Sequence, residues 1–266
     1  MHSATVSGSP RPSGSGELTD ADLERLYSPP AVREYRRASF VASADGAIEV
    51  GDRVGPLGSA DDRRVLATLR ALADVVLVGA ETVRREDYGP ILLPGDRLER
   101  RLARGQGPAP VVAVVSGRAA LDPGSRLLAG GGAAGRPPRP RPIVFTCEAS
   151  DPLRRRALAG VAEVVVCGAE SVDLAGALGV LAARDHGQVL CEGGPMLLTQ
   201  LLAGGHVDEI CLTSAPVLAG PGRRTMTVGA PFASPVPLVL GHLLVGDGAL
   251  LARYLIDRHS IHNERT

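Results

Sequence analysis

Short, unbroken apolar runs constrain this chain more than any other feature. Asp74 to Val78 (DVVLV), Ala109 to Val115 (APVVAVV) and Val189-Leu190-Cys191 carry apolar side chains toward both faces of any strand they form. Strands of that kind need cover on both sides, which is the pattern of a parallel sheet held between helices. The segments between them have helical spacing. After Ser59, a good N-cap with Asp61 and Asp62 in the first turn, Val65, Leu66, Leu69 and Leu72 form one apolar face out to Ala73. The expected fold class is therefore α/β, with three layers (α/β/α) around a mainly parallel sheet.

In chain order, the Ser/Gly/Pro-rich stretch Met1 to Gly16 cannot bury enough apolar surface to offset ordering entropy and is expected to be disordered. Thr19 caps a short helix, Asp20 to Tyr27, and a body of residues 32–258 follows, with 259–266 as a tail. Tyr35 to Ser43 is a strand, Leu98 to Ala103 a brief helix, and Gly130 to Pro142 a proline-rich loop without regular structure. Pro142 to Thr146 and Ala162 to Cys167 are strands. Asp151 to Leu158 and Asp173 to Arg184 are helices. Val207 to Ser214 alternates, as a less fully covered strand does, and Pro237 to Val245 with Leu250 to Asp257 makes an antiparallel hairpin about Gly246-Asp247-Gly248.

Composition removes several kinds of chemistry. Every basic residue is arginine, so Schiff-base lysine chemistry and the Walker lysine are excluded. The net charge is zero, which leaves no broad field to draw nucleic acid or an acidic membrane. No run of about 18 apolar residues is present, and the N-terminal stretch has no apolar core for a signal peptide. A soluble, cytoplasmic protein is expected. Cys147, Cys167, Cys191 and Cys211 are widely spaced in apolar surroundings and read as free buried thiols, with no metal-ligand spacing.

Two glycine turns at strand ends are candidate ligand sites. Glu192-Gly193-Gly194-Pro195 joins a strand to a helix bearing Met196, Leu197, Leu198, Leu201 and Leu202, and helix N–H groups after such a turn form an anion site. An acid directly before a phosphate cradle would repel the phosphate, so Glu192 reads as facing a substrate. A plain tight turn with a helix-start acid is the alternative. Gly79 to Pro90 repeats the arrangement, with Thr82 either binding a phosphate or capping the helix, and with Arg84, Arg85, Glu86 and Asp87 either in the site or on a solvated face. Ser116-Gly117-Arg118, just past a strand end, suits a ribose 2′-phosphate. Asp45-Gly46 lies at the carboxyl end of its strand, where ligands gather in open α/β sheets, although a plain turn is also consistent with it.

Taken together, SFVASADGAIEV, the run LRALADVVLVGAETVR continuing to Tyr88, and VLCEGGPMLLTQLLAGGHVDEICLTSAPVLAGPG resemble the reductase domain of riboflavin biosynthesis. The resemblance spans roughly Val32 to Asp257, with its blocks in the family's order. It implies a dihydrofolate-reductase-like fold and an NADPH-dependent reduction of a ribosylamino pyrimidine phosphate to its ribityl form, as by a 5-amino-6-(5-phosphoribosylamino)uracil reductase. No zinc deaminase signature accompanies it.

Carried residue by residue, the resemblance implies that Gly79, Thr82, Gly193, Gly194 and Met196 contact the cofactor, with Ser116 and Arg118 at its 2′-phosphate and Ala42 and Ser43 at its nicotinamide. Asp45 follows on the loop over the nicotinamide, and Asp45 and Glu192 are the catalytic candidates, as the only well-placed groups to handle a proton. Arg84, Glu86 and Glu192 are implied on the substrate side. Two departures are visible: the family's usual lysine after Asp-Gly is Ala47, and its Thr-Val-Arg-Ala-Asp-Asn-Pro is Thr82-Val83-Arg84-Arg85-Glu86-Asp87-Tyr88. A pterin substrate, a dihydrofolate-reductase-like activity and a non-catalytic NADPH-binding module remain as alternatives. Relatives associate through the last strands, and Val207 to Ser214 with the hairpin is apolar on more than one face, so a homodimer is expected.

Overall fold

The computed structural model describes residues 2–4, 17–51, 54–129 and 139–258. Its elements, in chain order, are β1 (His2–Ala4), α1 (Asp20–Tyr27), β2 (Tyr35–Ser43), α2 (Ala60–Leu72), β3 (Val75–Gly79), α3 (Ala80–Arg85), α4 (Gly95–Ala103), β4 (Val111–Val115) and β5 (Ile143–Thr146). There follow α5 (Pro152–Ala159), β6 (Glu163–Val166), α6 (Leu174–Ala182), β7 (Gln188–Cys191), α7 (Pro195–Ala203), β8 (Glu209–Ala215), β9 (Leu238–Gly246) and β10 (Ala249–Ile256).

The strands form one sheet in the order β1-β9-β10-β8-β2-β7-β3-β4-β5-β6. From β8 to β6 each neighbouring pair is parallel. The hairpin β9–β10 joins β8 antiparallel, and β1 joins β9. After β2 the chain moves through β3, β4, β5 and β6 toward one edge. It then returns to insert β7 between β2 and β3, and crosses to place β8 on the far side of β2. That reversal makes the middle of the sheet a switch point, where the carboxyl ends of strands part to leave a crevice.

Alternation along the buried strands supplies both covered faces. Val76, Val78, Val112, Val114 and Val144 pack with Leu23 and Tyr27 of α1, Val65, Leu69 and Leu72 of α2, and Leu158 of α5. Val75, Leu77, Ala113, Ile143 and Phe145 pack on the other side with Leu178 and Leu181 of α6 and Leu197, Leu198 and Leu201 of α7. The three-layer, mainly parallel fold with an antiparallel finish is the one the sequence predicts.

Local rules set the helix ends. Thr19 accepts from the Asp22 N–H while Asp22 accepts from the Thr19 N–H, a reciprocal cap. Ser59 accepts from the Asp62 N–H at the start of α2. At its other end the buried Arg101 of α4 donates to the carbonyls of Ala71 and Ala73. The helix α4 begins at Gly95, where the apolar pattern alone predicts only Leu98 to Ala103, and it turns two arginines inward, Arg101 onto this helix C-terminus and Arg97 onto Asp20 at 2.8 Å.

Three expectations need correction. The helix α1 belongs to the body, because Leu23 and Tyr27 are buried in the core, so the compact part takes in residues before Val32. His2–Ala4, within the stretch expected to lack order, pairs with β9. β8 is an interior strand with Glu209, Ile210, Cys211, Thr213 and Ala215 all buried. Its polar alternation reflects an internal ion cluster about Glu209, not exposure to water. The readings of residues 5–16, 130–138 and 259–266 fall outside the described residues. Among the described residues, no helix is long and apolar enough to cross a membrane. Cys147, Cys191 and Cys211 are buried and Cys167 is half-buried, and all four are free thiols.

Candidate functional site

At the carboxyl ends of β2, β7, β3 and β4 lies a cleft of about 840 Å³. Ser39, Phe40 and Val41 of β2, Gly79 of β3, Val115 of β4 and the residues following β7 line it, together with α3, the segment to Leu92, and the near faces of α2 and α7.

The two glycine turns meet at its floor. The Gly79 N–H donates to the Gly193 carbonyl at 2.7 Å. A Cβ on Gly194 would lie 2.9 Å from the Thr82 hydroxyl, and one on Gly193, whose φ is 91°, would lie 2.9 Å from the Phe40 ring. Only glycine allows this approach. The Gly193–Gly194 peptide is cis. Neither α3 nor α7 has a side-chain cap, so Thr82 is not the cap of α3. The N–H groups at the start of α7 belong to Met196 and Leu197, and both residues line the cleft.

Glu192 faces away from this helix start. Its carboxylate receives Nε and Nη2 of Arg70, each at 2.6 Å, and the Tyr88 hydroxyl at 2.8 Å. The reading of Glu192 as a helix-start acid therefore does not hold. Its side chain is 7% exposed and Arg70 is 28% exposed, so this is a partly desolvated, charge-assisted fork. Burial opposes charge on Arg70, but Glu192 outweighs it and raises the guanidinium pKa. Burial, with Glu192 adding to it, holds the Tyr88 phenol well above its usual range, so that hydroxyl remains a donor.

Ser116 and Arg118 line the cleft beyond β4, the first buried and the second exposed. Arg84 and Glu86 line it on the α3 side, and Arg84 also donates to the Ala120 carbonyl at 2.7 Å. Ala42, Ser43, Asp45 and Gly193 are not among the lining residues. Ser43 donates to the Asp45 carboxylate and accepts from the Ala47 N–H. Asp45 in turn accepts from the N–H groups of Ala219 and Gly220. Ser43 first, then those two N–H groups, hold its pKa down to about 2. The Asp45 carboxylate is thus occupied in tying the segment after β8 to the end of β2.

Arg70 escapes notice in the sequence because it sits on a helix read for its apolar face. The one available signal is spacing, since Leu66 and Arg70 are one turn apart on α2 and both line the cleft. Further ion pairs form at the cleft between distant segments, among them Arg85 with Glu49 at 3.4 Å, Arg224 with Glu81 at 3.2 Å and Arg126 with Asp87 at 2.9 Å. Among the described residues no cluster of His, Cys, Asp and Glu is arranged to hold a metal.

Comparison with known proteins agrees with this geometry. The family model described as the RibD C-terminal domain matches residues 35–251. A protein of Archaeoglobus fulgidus named 2,5-diamino-6-ribosylamino-4(3H)-pyrimidinone 5′-phosphate reductase is 29% identical over 198 residues, covering 74% of this chain and 86% of that one. A protein of the same name from Methanothermobacter thermautotrophicus is 30% identical over 201 residues, 74% of this chain and 84% of that one. The crystal structure of a pyrimidine reductase-like protein from Corynebacterium diphtheriae superimposes with a TM-score of 0.80 at 28% identity, over 91% of this chain and 100% of that one. The shared fold, the family match over nearly all of the sheet, and the paired turns of the cleft give one result: the chain belongs to the RibD C-terminal domain family.

Proposed function

We propose that this chain is an NADPH-dependent reductase of a ribosylamino pyrimidine phosphate, most closely that of the curated relatives, 2,5-diamino-6-ribosylamino-4(3H)-pyrimidinone 5′-phosphate. The observation that carries the reading is the meeting of two uncapped glycine turns with Glu192 in one cleft. A dinucleotide needs a place for its pyrophosphate, where backbone must come close, and Gly79 and Gly194 offer bare backbone to the cleft, where a Cβ on Gly194 would crowd the Thr82 hydroxyl. Met196 and Leu197 offer N–H groups there, and Thr82 a hydroxyl. Ser116 and Arg118 fit a 2′-phosphate at the far end. The strand-end contact to nicotinamide, expected at Ala42 and Ser43, passes to Phe40 and Val41, which line the cleft.

When bound, the cofactor supplies a hydride. Opening a ribosylamino group to a ribitylamino group adds that hydride to the anomeric carbon and a proton to the ring oxygen, which leaves as a hydroxyl. The residues of this chain orient the parts. Glu192, already fixed by Arg70 and Tyr88, accepts from the pyrimidine, and Arg84 with Glu86 borders the sugar-phosphate side. Asp45 acts through the segment it holds, not as a proton carrier. We also propose a homodimer formed through β8–β10 and a cytoplasmic setting.

The test is loss of NADPH absorbance with the diaminopyrimidinone phosphate and, separately, with its uracil counterpart. One NADPH consumed per ribityl product formed is the expected result, with NADH at least 10-fold poorer and Arg118→Ala erasing most of that difference. No turnover of either pyrimidine would refute the proposal.

A further inference from the structure

Glu192 offers a ligand less than a free carboxylate does. An ionised carboxylate has about four acceptor positions, two on the edge shared by both oxygens and one on the outer side of each. Arg70 takes the shared edge, Nε on Oε1 and Nη2 on Oε2. Tyr88 takes a further position on Oε2. One position remains, on Oε1, to which no described residue donates. The Arg70 guanidinium is itself steadied, with its centre 5.7 Å from the centroid of the Tyr88 ring and Nη2 3.3 Å from the Tyr88 oxygen.

We infer that Arg70 is a specificity-determining residue: by holding the shared edge of Glu192 it denies that edge to a pair of ligand N–H groups and leaves the pyrimidine one N–H contact. This rests on the reading of the cleft as a pyrimidine site. A carboxylate with its shared edge open favours an amidine-like pair, a ring N–H beside an amino group, because two parallel hydrogen bonds form at once. With that edge closed, an amino group at carbon 2 gains nothing over an oxo group at the same carbon. Glu192 therefore recognises 2-amino and 2-oxo pyrimidines alike. Any preference between them must arise elsewhere in the cleft.

The experiment compares the parent with Arg70→Met, which removes the donors at similar length, and with Arg70→Gln in case the first variant does not fold. Calorimetric titration in the presence of NADPH uses isocytosine, which has a ring N–H beside its 2-amino group, and uracil, which differs from it only in the 2-oxo group, as probes. The parent is expected to bind the two within about 3-fold, and Arg70→Met or Arg70→Gln to favour isocytosine by 10-fold or more. A parent that already favours it 10-fold overturns the inference, as does a folded variant that gains no preference, or a parent and variants that bind neither probe. Because the readout is a ratio of affinities, it is separable from turnover. Failure to oxidise NADPH with either pyrimidine phosphate sinks the proposed function, whereas an unchanged probe ratio sinks only the role of Arg70.

Discussion

Glu209→Gln is a severe test of how this sheet is held together. Glu209 is fully buried on β8, with Arg253 Nη2 at 2.7 Å, Arg37 Nε at 3.6 Å, the Tyr35 hydroxyl at 2.7 Å and the Cys211 thiol at 3.2 Å. The amide keeps the volume and one acceptor but removes the charge, leaving two buried guanidinium groups without a counter-ion. Breaking one side of such a cluster costs about 3–5 kcal/mol. The low end applies, because Arg37 and Arg253 also donate to the carbonyls of Tyr27 and Leu26 at the end of α1. About 3 kcal/mol corresponds to a fall in Tm on the order of 10 °C. Burial raises the Glu209 pKa, but Arg37 and Arg253 outweigh it and the net direction is down. The stabilisation is therefore present above the unfolded value of about 4.3 and lost as pH falls through the lower folded value. His242, packed edge-on against Tyr27, works at higher pH. Burial, then Arg253, depresses it from 6.5 to about 4, so the unfolded chain binds more protons between those values and stability falls as pH drops across them. Urea denaturation should show the parent losing stability from about pH 6.5 downward, and Glu209→Gln losing the further fall below about pH 4. A variant within about 1 kcal/mol of the parent at pH 7 would refute the argument that the cluster's charge balance supports the sheet.

Glu192→Gln should leave NADPH affinity within a few-fold while kcat/KM for the pyrimidine falls roughly 10²-fold, and steady-state rates beside direct cofactor titration check it. A parallel fall in both would return Glu192 to the phosphate turn. Gly194→Ala, which sets a methyl 2.9 Å from the Thr82 hydroxyl, should weaken NADPH binding by 10-fold or more with a much smaller change in Tm, measured by cofactor fluorescence and thermal melts. Sedimentation at micromolar concentration should give a species of twice the 27.5 kDa chain mass, and a purely monomeric profile would remove the dimer from the proposal.

The sheet was legible because its signals are local. Asp74 to Val78 and Ala109 to Val115 are apolar on both faces, and only a doubly covered strand accommodates that. Gly79 and Gly193-Gly194 were legible for the same reason, since strand, glycine and helix start follow one another within a few residues. Hidden features are those that depend on a partner far along the chain. β8 reads as half-exposed from its polar alternation, yet its acid is neutralised by Arg37, 172 positions before it, and by Arg253 on a later strand. In the same way Arg101 looks like a solvated helix residue until the carbonyls of Ala71 and Ala73 are seen at its guanidinium.

The site shows how such distance alters chemistry and not merely placement. A glutamate before a phosphate cradle invites the reading of a proton carrier, and nothing near it in sequence argues otherwise. Arg70, 122 positions away, changes the assignment by taking two of its acceptor positions. Tyr88 takes a third, and its phenol, held above the usual range by burial, stays a donor. Asp45, the other candidate, spends its carboxylate on Ser43, Ala219 and Gly220. Both acids singled out for proton transfer are thus committed to hydrogen bonds as fixed acceptors, and those of Asp45 hold its pKa down to about 2. On the proposed reading this is a division of labour: the cofactor would bring the reactive atom, the backbone turns would hold its phosphates, and Glu192 would set the angle at which the pyrimidine meets it. On that reading neither acid carries the proton, which is left to solvent. This account requires that the pH dependence of kcat not follow Asp45, so a kcat–pH profile that changes by 10-fold on Asp45→Asn at fixed loop structure would contradict it.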